Sequence, residues 1–269
     1  MKIKFLGSAS CFRNAELFSS GKLTEYAREN GIMRANAQLL INNDMIINFP
    51  SDTYMKVLKY GFDLSAVETL LVTDSHPESI YKMDLLMRRN GFSHERTADI
   101  LTVYCNETVE KQLDSIHEKF DTFEYTAVTD FESFTVGQYT VTPLPATRTD
   151  EEKRMIYLVD DGKAKLLYAV GTAYLPDETL DFLSSCGHLD CVIYDCTFYD
   201  RKVSEKHHMN LEDNKRCTEA LKSLGAVNEK TLLFASGFDA RILSPEADTK
   251  EAQKEYGITM AYDGLEAEI

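Results

Sequence analysis

The sequence predicts an α/β protein in which two β-sheets face each other between two outer layers of helices. Short apolar runs at residues 69–72 and 191–198 have the length and composition of buried strands. Amphipathic segments such as residues 107–120 lie between the strands, with apolar residues at helical spacing. Two groups of strands, each combined with helices, favour a four-layer αββα sandwich.

Composition limits both the architecture and the partners. The chain has 269 residues, of which 43% are hydrophobic, enough to bury a large core within one domain at residues 1–269. The formal net charge of -15 opposes binding to nucleic acid or to anionic membranes, so we predict neither partner. The first strand lacks the apolar region of a signal peptide, and we expect a cytoplasmic protein. The scattered cysteines lack C-x-x-C pairs and are expected to be reduced.

The N-terminal third contains a hairpin and a helix. Residues 7–30 are polar and are predicted to be irregular. Strands at 38–41 and 45–47 flank Asn42-Asn43-Asp44, which is typical of a hairpin turn. A helix over 51–60 has apolar residues at helical spacing and is followed by Gly61.

The remaining elements alternate along the chain. Strands at 155–159 and 164–170 are joined by Asp160-Asp161-Gly162-Lys163, a strong hairpin signal. The other predicted strands are 69–73, 100–105, 134–144, 191–198, 231–235 and 258–262. The other predicted helices are 80–90, 107–120, 176–185, 210–224 and 246–256.

Motifs along nearly the whole chain resemble the metallo-β-lactamase-fold hydrolases. Tyr60-Gly61-Phe62-Asp63-Leu64 is similar to the family's Y-G-I-D-L motif. Asp195-Cys196-Thr197-Phe198 and His208-Met209-Asn210-Leu211 resemble its D-x-T-F and G-H-M-S-L motifs. The branch that these motifs follow most closely is that of the carbon-phosphorus lyase accessory and cyclic-nucleotide phosphodiesterases. The resemblance implies the αββα fold and descent from a phosphodiester hydrolase.

The segment Thr73-Asp74-Ser75-His76-Pro77-Glu78-Ser79 departs from the family pattern T-H-x-H-x-D-H. It follows a predicted strand, at the sheet edge where α/β proteins place their chemistry. Carried over by position, the family's ligands His, His, Asp, His, His, Asp and His fall on Asp74, His76, Glu78, Ser79, Arg148, Gly171 and Ser236. Only His76 keeps its residue type. The acid that bridges two metal ions in the family has become Gly171.

The altered positions change the expected metal chemistry. Asp74, His76 and Glu78 remain as candidate ligands for one ion, and their oxygen atoms favour Mn²⁺ or Mg²⁺ over Zn²⁺. A guanidinium at Arg148, about 5 Å away, would repel a cation by roughly 3 kcal/mol per unit of charge at an effective dielectric near ~20. Arg148 would instead pair with a carboxylate or bind a small anionic ligand. We therefore expect no cofactor, or a single weakly held Mn, Zn or Mg.

Two functions follow as the main alternatives, beside a third in which the protein binds an anion through Arg148 where the family uses metal. The first is a phosphodiesterase-related protein that has largely lost its metal site and is non-catalytic or repurposed for binding. The second is an active phosphodiesterase-like hydrolase with one metal on Asp74, His76 and Glu78, with His208 as general acid and Asp195 in support. The same residues also have structural interpretations, as charges at a helix N-terminus or as hydrogen-bonded core histidines. The resemblance further implies a possible homodimer.

Overall fold

A computed structural model describes residues 1–117, 122–147, 152–202, 207–244 and 247–269. Within these residues the chain forms two mixed seven-stranded sheets. Three apolar cores separate four layers, one core between the sheets and one under the helices on each outer face. The predicted αββα sandwich is confirmed.

The first sheet has the spatial order β14-β1-β2-β3-β4-β5-β6. Its strands are β1 (Lys2–Gly7), β2 (Gln38–Ile41), β3 (Met45–Ile47), β4 (Thr69–Leu71), β5 (Leu101–Cys105), β6 (Phe123–Ala127) and β14 (Glu266–Glu268). The helices in this part of the chain are α1 (Lys22–Asn30), α2 (Thr53–Tyr60), α3 (Lys82–Leu85) and α4 (Glu107–His117). Strands β3 to β6 are parallel, so their carboxyl ends share one edge.

The second sheet has the spatial order β13-β12-β11-β10-β9-β8-β7. Its strands are β7 (Phe134–Val136), β8 (Tyr139–Pro145), β9 (Met155–Asp160), β10 (Lys165–Ala169), β11 (Cys191–Asp195), β12 (Leu232–Ser236) and β13 (Thr259–Met260). Its helices are α5 (Asp177–Ser185), α6 (Leu211–Ser223) and α7 (Lys250–Tyr256). Strand β9 runs antiparallel to β10, so β9 begins at the edge where β10 ends.

The core between the sheets follows from strand alternation. In β10, Leu166 and Tyr168 face the other sheet, while Leu167 and Ala169 face the outer helices. The ring centroids of Phe5 in β1 and Phe234 in β12 lie 5.2 Å apart, which joins the two inner faces. The burial of these side chains fixes the sheets against each other and positions their carboxyl edges together.

The helix α2 is oriented opposite to the expectation from its apolar residues. Tyr54 and Leu58 are exposed, whereas Lys56 is completely buried. The Lys56 ammonium donates to Asp52 at 2.7 Å and to the Asn36 carbonyl at 2.8 Å. This ion pair sets which face of the helix meets the sheet, so helical spacing alone gave the wrong face.

Other boundaries also differ from the sequence predictions. Residues predicted to be irregular include α1, and β6 and β14 were not predicted. The predicted strand 134–144 is a hairpin that turns at Gly137, where φ is 55° and glycine is favoured. The predicted helix 80–90 is short and ends in a 3₁₀ turn. In the part of the chain described, none of the helices has the length and apolar character that crossing a membrane requires.

Candidate active site at the strand ends

A pocket of about 50 Å³ lies where the carboxyl ends of strands from both sheets meet. Five of the residues singled out in the sequence line it: Asp74, Glu78, Ser79, Asp195 and His208. Gly171 lines it as well, together with Arg154, which the sequence analysis had not singled out. The topology thus brings most of the predicted site residues together.

Asp74 is buried and both of its carboxylate oxygens already have partners. Oδ1 accepts from the His76 backbone N–H at 3.0 Å and lies 3.1 Å from Arg154 Nη1. Oδ2 accepts from Ser79 Oγ at 2.9 Å and lies 3.0 Å from Thr73 Oγ1. Burial alone would raise the pKa of Asp74, but the hydrogen bond with His76 and the Arg154 charge outweigh burial and lower the pKa to about 2.

Arg154 lies directly against the imidazole of His76. Its Nη2 is 2.9 Å from His76 Nδ1 and 3.1 Å from His76 Nε2. The Arg154 side chain is only 3% exposed, so this guanidinium is held inside the protein. The hydrogen bond with Asp74 raises the pKa of His76, although burial and the Arg154 charge act against it.

Glu152 completes a group that we name the Asp74 cluster, consisting of Asp74, His76, Glu152 and Arg154. The Glu152 carboxylate accepts from the Ser75 backbone N–H at 2.7 Å, from Ser75 Oγ at 2.9 Å and from Asn106 Nδ2 at 2.9 Å. It lies 3.7 Å from His76 Nδ1. Like Asp74, it is therefore already hydrogen-bonded on both oxygens.

Two of the three predicted metal ligands, Asp74 and His76, lie together with a different third acid, Glu152. Ligand atoms of Asp74, His76 and Glu152 all lie within 4.8 Å of one another, and Glu78 is not part of this group. Glu78 is half-buried in the pocket wall, without a hydrogen bond or ion pair to the described residues. The loop before β9 reaches the Asp74 position, whereas Glu78 lies further along the turn that leads to α3.

Arg148, the predicted source of positive charge, lies outside the described residues, so its role stays a prediction. Arg154 supplies a guanidinium at the site within the described chain. The signal that would have found it is its position directly before the apolar strand β9. An antiparallel strand starts at the edge where its neighbour ends, and the Met155 N–H donates to the Thr73 carbonyl at 2.9 Å.

Asp195 and His208, which we name the Asp195 pair, lie in contact. His208 Nδ1 is 2.8 Å from Asp195 Oδ2. Asp195 is buried and also accepts from the backbone N–H groups of Gly171, Thr197 and Met209 at 2.9, 3.0 and 3.1 Å. The His208 side chain is 23% exposed, so the carboxylate orients an imidazole that solvent reaches.

Gly171 lies between these two groups. Its N–H donates to Asp195, and a Cβ built at this position would lie 3.9 Å from Asp74 Oδ2. Its φ of 88° is a conformation that favours glycine. No carboxylate is therefore available here to be shared between two cations.

The donor set does not fit a divalent cation as it is arranged. A metal needs ligand atoms with free lone pairs directed at one point, about 2 Å away. In the Asp74 cluster the Arg154 guanidinium faces Asp74 Oδ1 and both ring nitrogens of His76, and Glu152 is held by Ser75 and Asn106. The arrangement fits an internal ion pair, in which the Arg154 guanidinium lies among the atoms that would otherwise bind a metal ion.

Comparison with known proteins agrees with the fold and the motifs. Residues 56–234 match the family described as the beta-lactamase superfamily domain. This match covers more than half of the chain, so the protein belongs to the beta-lactamase superfamily. A search of the curated proteins found no significant match.

Solved structures similar to this chain share its complete architecture. The metallo-beta-lactamase fold protein YhfI from Bacillus subtilis is 17% identical, with a TM-score of 0.72 over 99% of this chain and 98% of that one. A diphosphatase from the PhnP family is 16% identical, with a TM-score of 0.72 over 100% and 98%. Zn²⁺-bound PqqB from Methylobacterium extorquens is 14% identical, with a TM-score of 0.71 over 100% of both chains. At these identities the likeness establishes the metallo-β-lactamase fold.

Proposed function

We propose that this protein is a superfamily member whose metal centre has been replaced by an internal ion-pair network and which acts by binding rather than by hydrolysis. The observation that carries the proposal is the guanidinium of Arg154 among the candidate ligand atoms. It lies 3.1 Å from Asp74 Oδ1 and within 3.1 Å of both His76 ring nitrogens. The positive charge of Arg154, placed among these ligand atoms, repels any divalent cation that would bind there.

The charge of Arg154 and its buried position both oppose metal binding. At an effective dielectric of about 20, a guanidinium about 5 Å from a cation repels it by roughly 3 kcal/mol per unit of cation charge. Arg154 is 3% exposed, which limits how far it can withdraw into solvent. Residue 171 is a glycine, so it supplies no carboxylate that would offset this repulsion.

Elemental analysis of the protein, purified without chelator, tests the loss of the metal centre. We expect far less than one Zn, Mn or Fe per chain. An Arg154→Met variant removes the charge, and an Arg216→Met variant removes an exposed surface arginine as its control. Stoichiometric metal in the wild type that is lost in Asp74→Asn would contradict the proposal.

The ligand of the pocket is proposed to be small and polar. The pocket volume of about 50 Å³ admits a small group, and His208 lines the pocket with an imidazole that is 23% exposed. The small anionic ligand expected from the sequence would depend on Arg148. Thermal shift with inorganic phosphate and phosphate esters tests it, because stabilisation should disappear in Arg148→Ala. Equal stabilisation of both proteins would remove Arg148 from the proposal.

One observation favours a second function. Asp74, His76 and Glu152 place ligand atoms within 4.8 Å of one another, and the nearby Asp195 pair presents an oriented imidazole. These features support a phosphodiesterase-like hydrolase with a remodelled mononuclear site, in which His208 would donate a proton to a leaving group.

Turnover decides between the two functions. Bis-p-nitrophenyl phosphate and cyclic nucleotides are assayed with added Mn²⁺, Mg²⁺ or Zn²⁺, with Glu152→Gln and His208→Ala as variants. Activity that both substitutions reduce by about a hundredfold would support the hydrolase. Absence of turnover with every metal supports the binding protein.

A further inference from the structure

A second pocket lies on the outer face of the first sheet and shares none of its lining residues with the strand-end pocket. Its volume is about 220 Å³, compared with about 50 Å³ for the first. The floor is built from side chains of the outer core, all at most 5% exposed: Ile46, Phe49, Val67, Leu85 and Leu101. We name this space the outer pocket.

The size of the outer pocket is sufficient for a small organic molecule. A dry apolar cavity of roughly 150 Å³ already accommodates benzene in another protein. An open apolar cleft leaves its lining atoms without packing partners on one side, which a ligand with an apolar body would restore. The floor therefore favours an aliphatic or aromatic group.

Two arginines line the same pocket, and neither has a carboxylate partner within salt-bridge distance among the described residues. Arg88 donates to the carbonyls of Thr122 and Ala98 at 3.1 and 3.0 Å. Arg96 donates to two further carbonyls, a serine hydroxyl and an asparagine oxygen. By contrast, the arginines that do pair with aspartates in the described structure are Arg13, Arg154, Arg216 and Arg241.

These guanidinium groups have donors that the described residues leave unused. Arg96 Nε is buried and makes no hydrogen bond, and Arg88 Nη1 makes none either. Burial, followed by the charge of Arg96, lowers the pKa of Arg88, as expected for two positive groups close together in a partly desolvated wall. Among the described residues that line the pocket, Asp84 is the only carboxylate, so the two arginines outnumber it. The rim is therefore locally positive on a chain whose formal net charge is -15.

We propose that the outer pocket binds a small amphipathic carboxylate, with its apolar body on the floor and its carboxylate at Arg88 and Arg96. A planar carboxylate accepts hydrogen bonds from guanidinium groups in the geometry that they favour. It would also supply the negative charge that the two arginines lack. This site is separate from the strand-end pocket, and its occupation is independent of the function proposed there.

Isothermal titration calorimetry on the full chain tests the charge and the apolar body separately. The probes are octanoate, which has both features, octanol, which lacks the charge, and acetate, which lacks the body. We expect octanoate to bind one molecule per chain, octanol to bind at least about ten-fold more weakly, and acetate to show no binding. Octanol binding as tightly as octanoate would overturn the proposal, and so would no octanoate binding.

Variants place the binding at the outer pocket. Arg88→Gln and Arg96→Gln are each expected to weaken octanoate binding about ten-fold and to leave octanol binding unchanged. Arg89→Gln is the matched control, because Arg89 is adjacent in sequence, stacks on Phe92 and does not line the pocket. Octanoate affinity that is unchanged in both pocket variants would overturn the assignment.

A third variant guards against misfolding of the arginine variants. Leu64 lines the pocket and is half-buried, so Leu64→Trp is expected to fill the space and to remove binding of both octanoate and octanol. The thermal unfolding midpoint of each variant shows whether it is folded. A folded Leu64→Trp variant that still binds octanoate with wild-type affinity would place the ligand elsewhere and overturn the proposal.

Discussion

The Asp74 cluster and the Asp195 pair line one pocket, but they stabilise their buried carboxylates in different ways. Asp74 depends mainly on the side chains of His76, Arg154 and Ser79, with one backbone N–H from His76. Asp195 depends mainly on backbone N–H groups, from Gly171, Thr197 and Met209. Backbone donors are fixed by the fold and persist through substitution, whereas a side-chain partner can be replaced one residue at a time.

This difference explains which half of the site still resembles the family. The Asp195 pair carries the motifs similar to D-x-T-F and G-H-M-S-L, and it has an oriented, accessible imidazole. In the Asp74 cluster, Asp74 stands at a position where the family motif has a histidine, His76 keeps its residue type, and Arg154 adds a buried guanidinium. The two sides of the pocket therefore differ in how closely their residues match the family motifs.

The largest effect is expected from breaking the ion pair in the Asp74 cluster. Asp74→Ala leaves the buried Arg154 without its carboxylate, and we expect it to lower the free energy of unfolding by about 3 to 5 kcal/mol. Urea unfolding measures the change. The control is Asp213→Ala, which breaks an exposed pair with Arg216 and is expected to cost less than about 1 kcal/mol. Similar losses in the two variants would mean that the buried pair contributes no more than a surface pair.

The second largest effect is expected at Asp195, whose carboxylate is held mainly by backbone N–H groups. Asp195→Asn replaces one acceptor oxygen by an amide donor that faces N–H groups and His208, so we expect a loss of roughly 2 to 3 kcal/mol. Thermal and urea unfolding both measure this loss. An effect below about 0.5 kcal/mol would show that backbone donors do not hold this charge as strongly as their number indicates.

Stability at low pH tests the lowered pKa of Asp74. The ordinary pKa of 3.8 for Asp74 is lowered to about 2 in the folded protein, so its contribution is present above 3.8 and is lost as the pH falls toward 2. The contribution corresponds to about 2 kcal/mol. We expect the difference in unfolding free energy between wild type and Asp74→Asn to shrink by this amount from about pH 5 to about pH 2. A difference that stays constant over this range contradicts the lowered pKa.

The smallest effect on stability is expected at His208. Its side chain is 23% exposed, so His208→Ala should cost about 1 kcal/mol or less. His188→Ala is the matched control, because His188 also lies near a carboxylate, 3.9 Å from Asp190, and is more exposed. A loss above about 3 kcal/mol at His208 would indicate a structural role in place of an accessible site residue.

Sequence patterns were sufficient for the fold but not for the partners of Asp74. Strand alternation and hairpin turns such as Asp160-Asp161-Gly162-Lys163 act locally, so they predicted most elements of both sheets. The contacts of Glu152 with Ser75 and of Arg154 with Asp74 join segments about eighty residues apart. Such contacts depend on how the sheets face each other, which no local pattern encodes. Lys56 is a similar case, since its burial depends on Asp52 and on the Asn36 carbonyl.

Gly171 makes it difficult to introduce a carboxylate between the Asp74 cluster and the Asp195 pair. An aspartate there would have to adopt a φ of 88°, and its side chain would start 3.9 Å from the Asp74 carboxylate, beside Asp195. Until a cation were bound, three acids would crowd together, while Arg154 would still repel that cation. An acid introduced at Gly171 alone is therefore expected to destabilise the protein, and a two-metal centre at this site would require several coordinated substitutions rather than a single one.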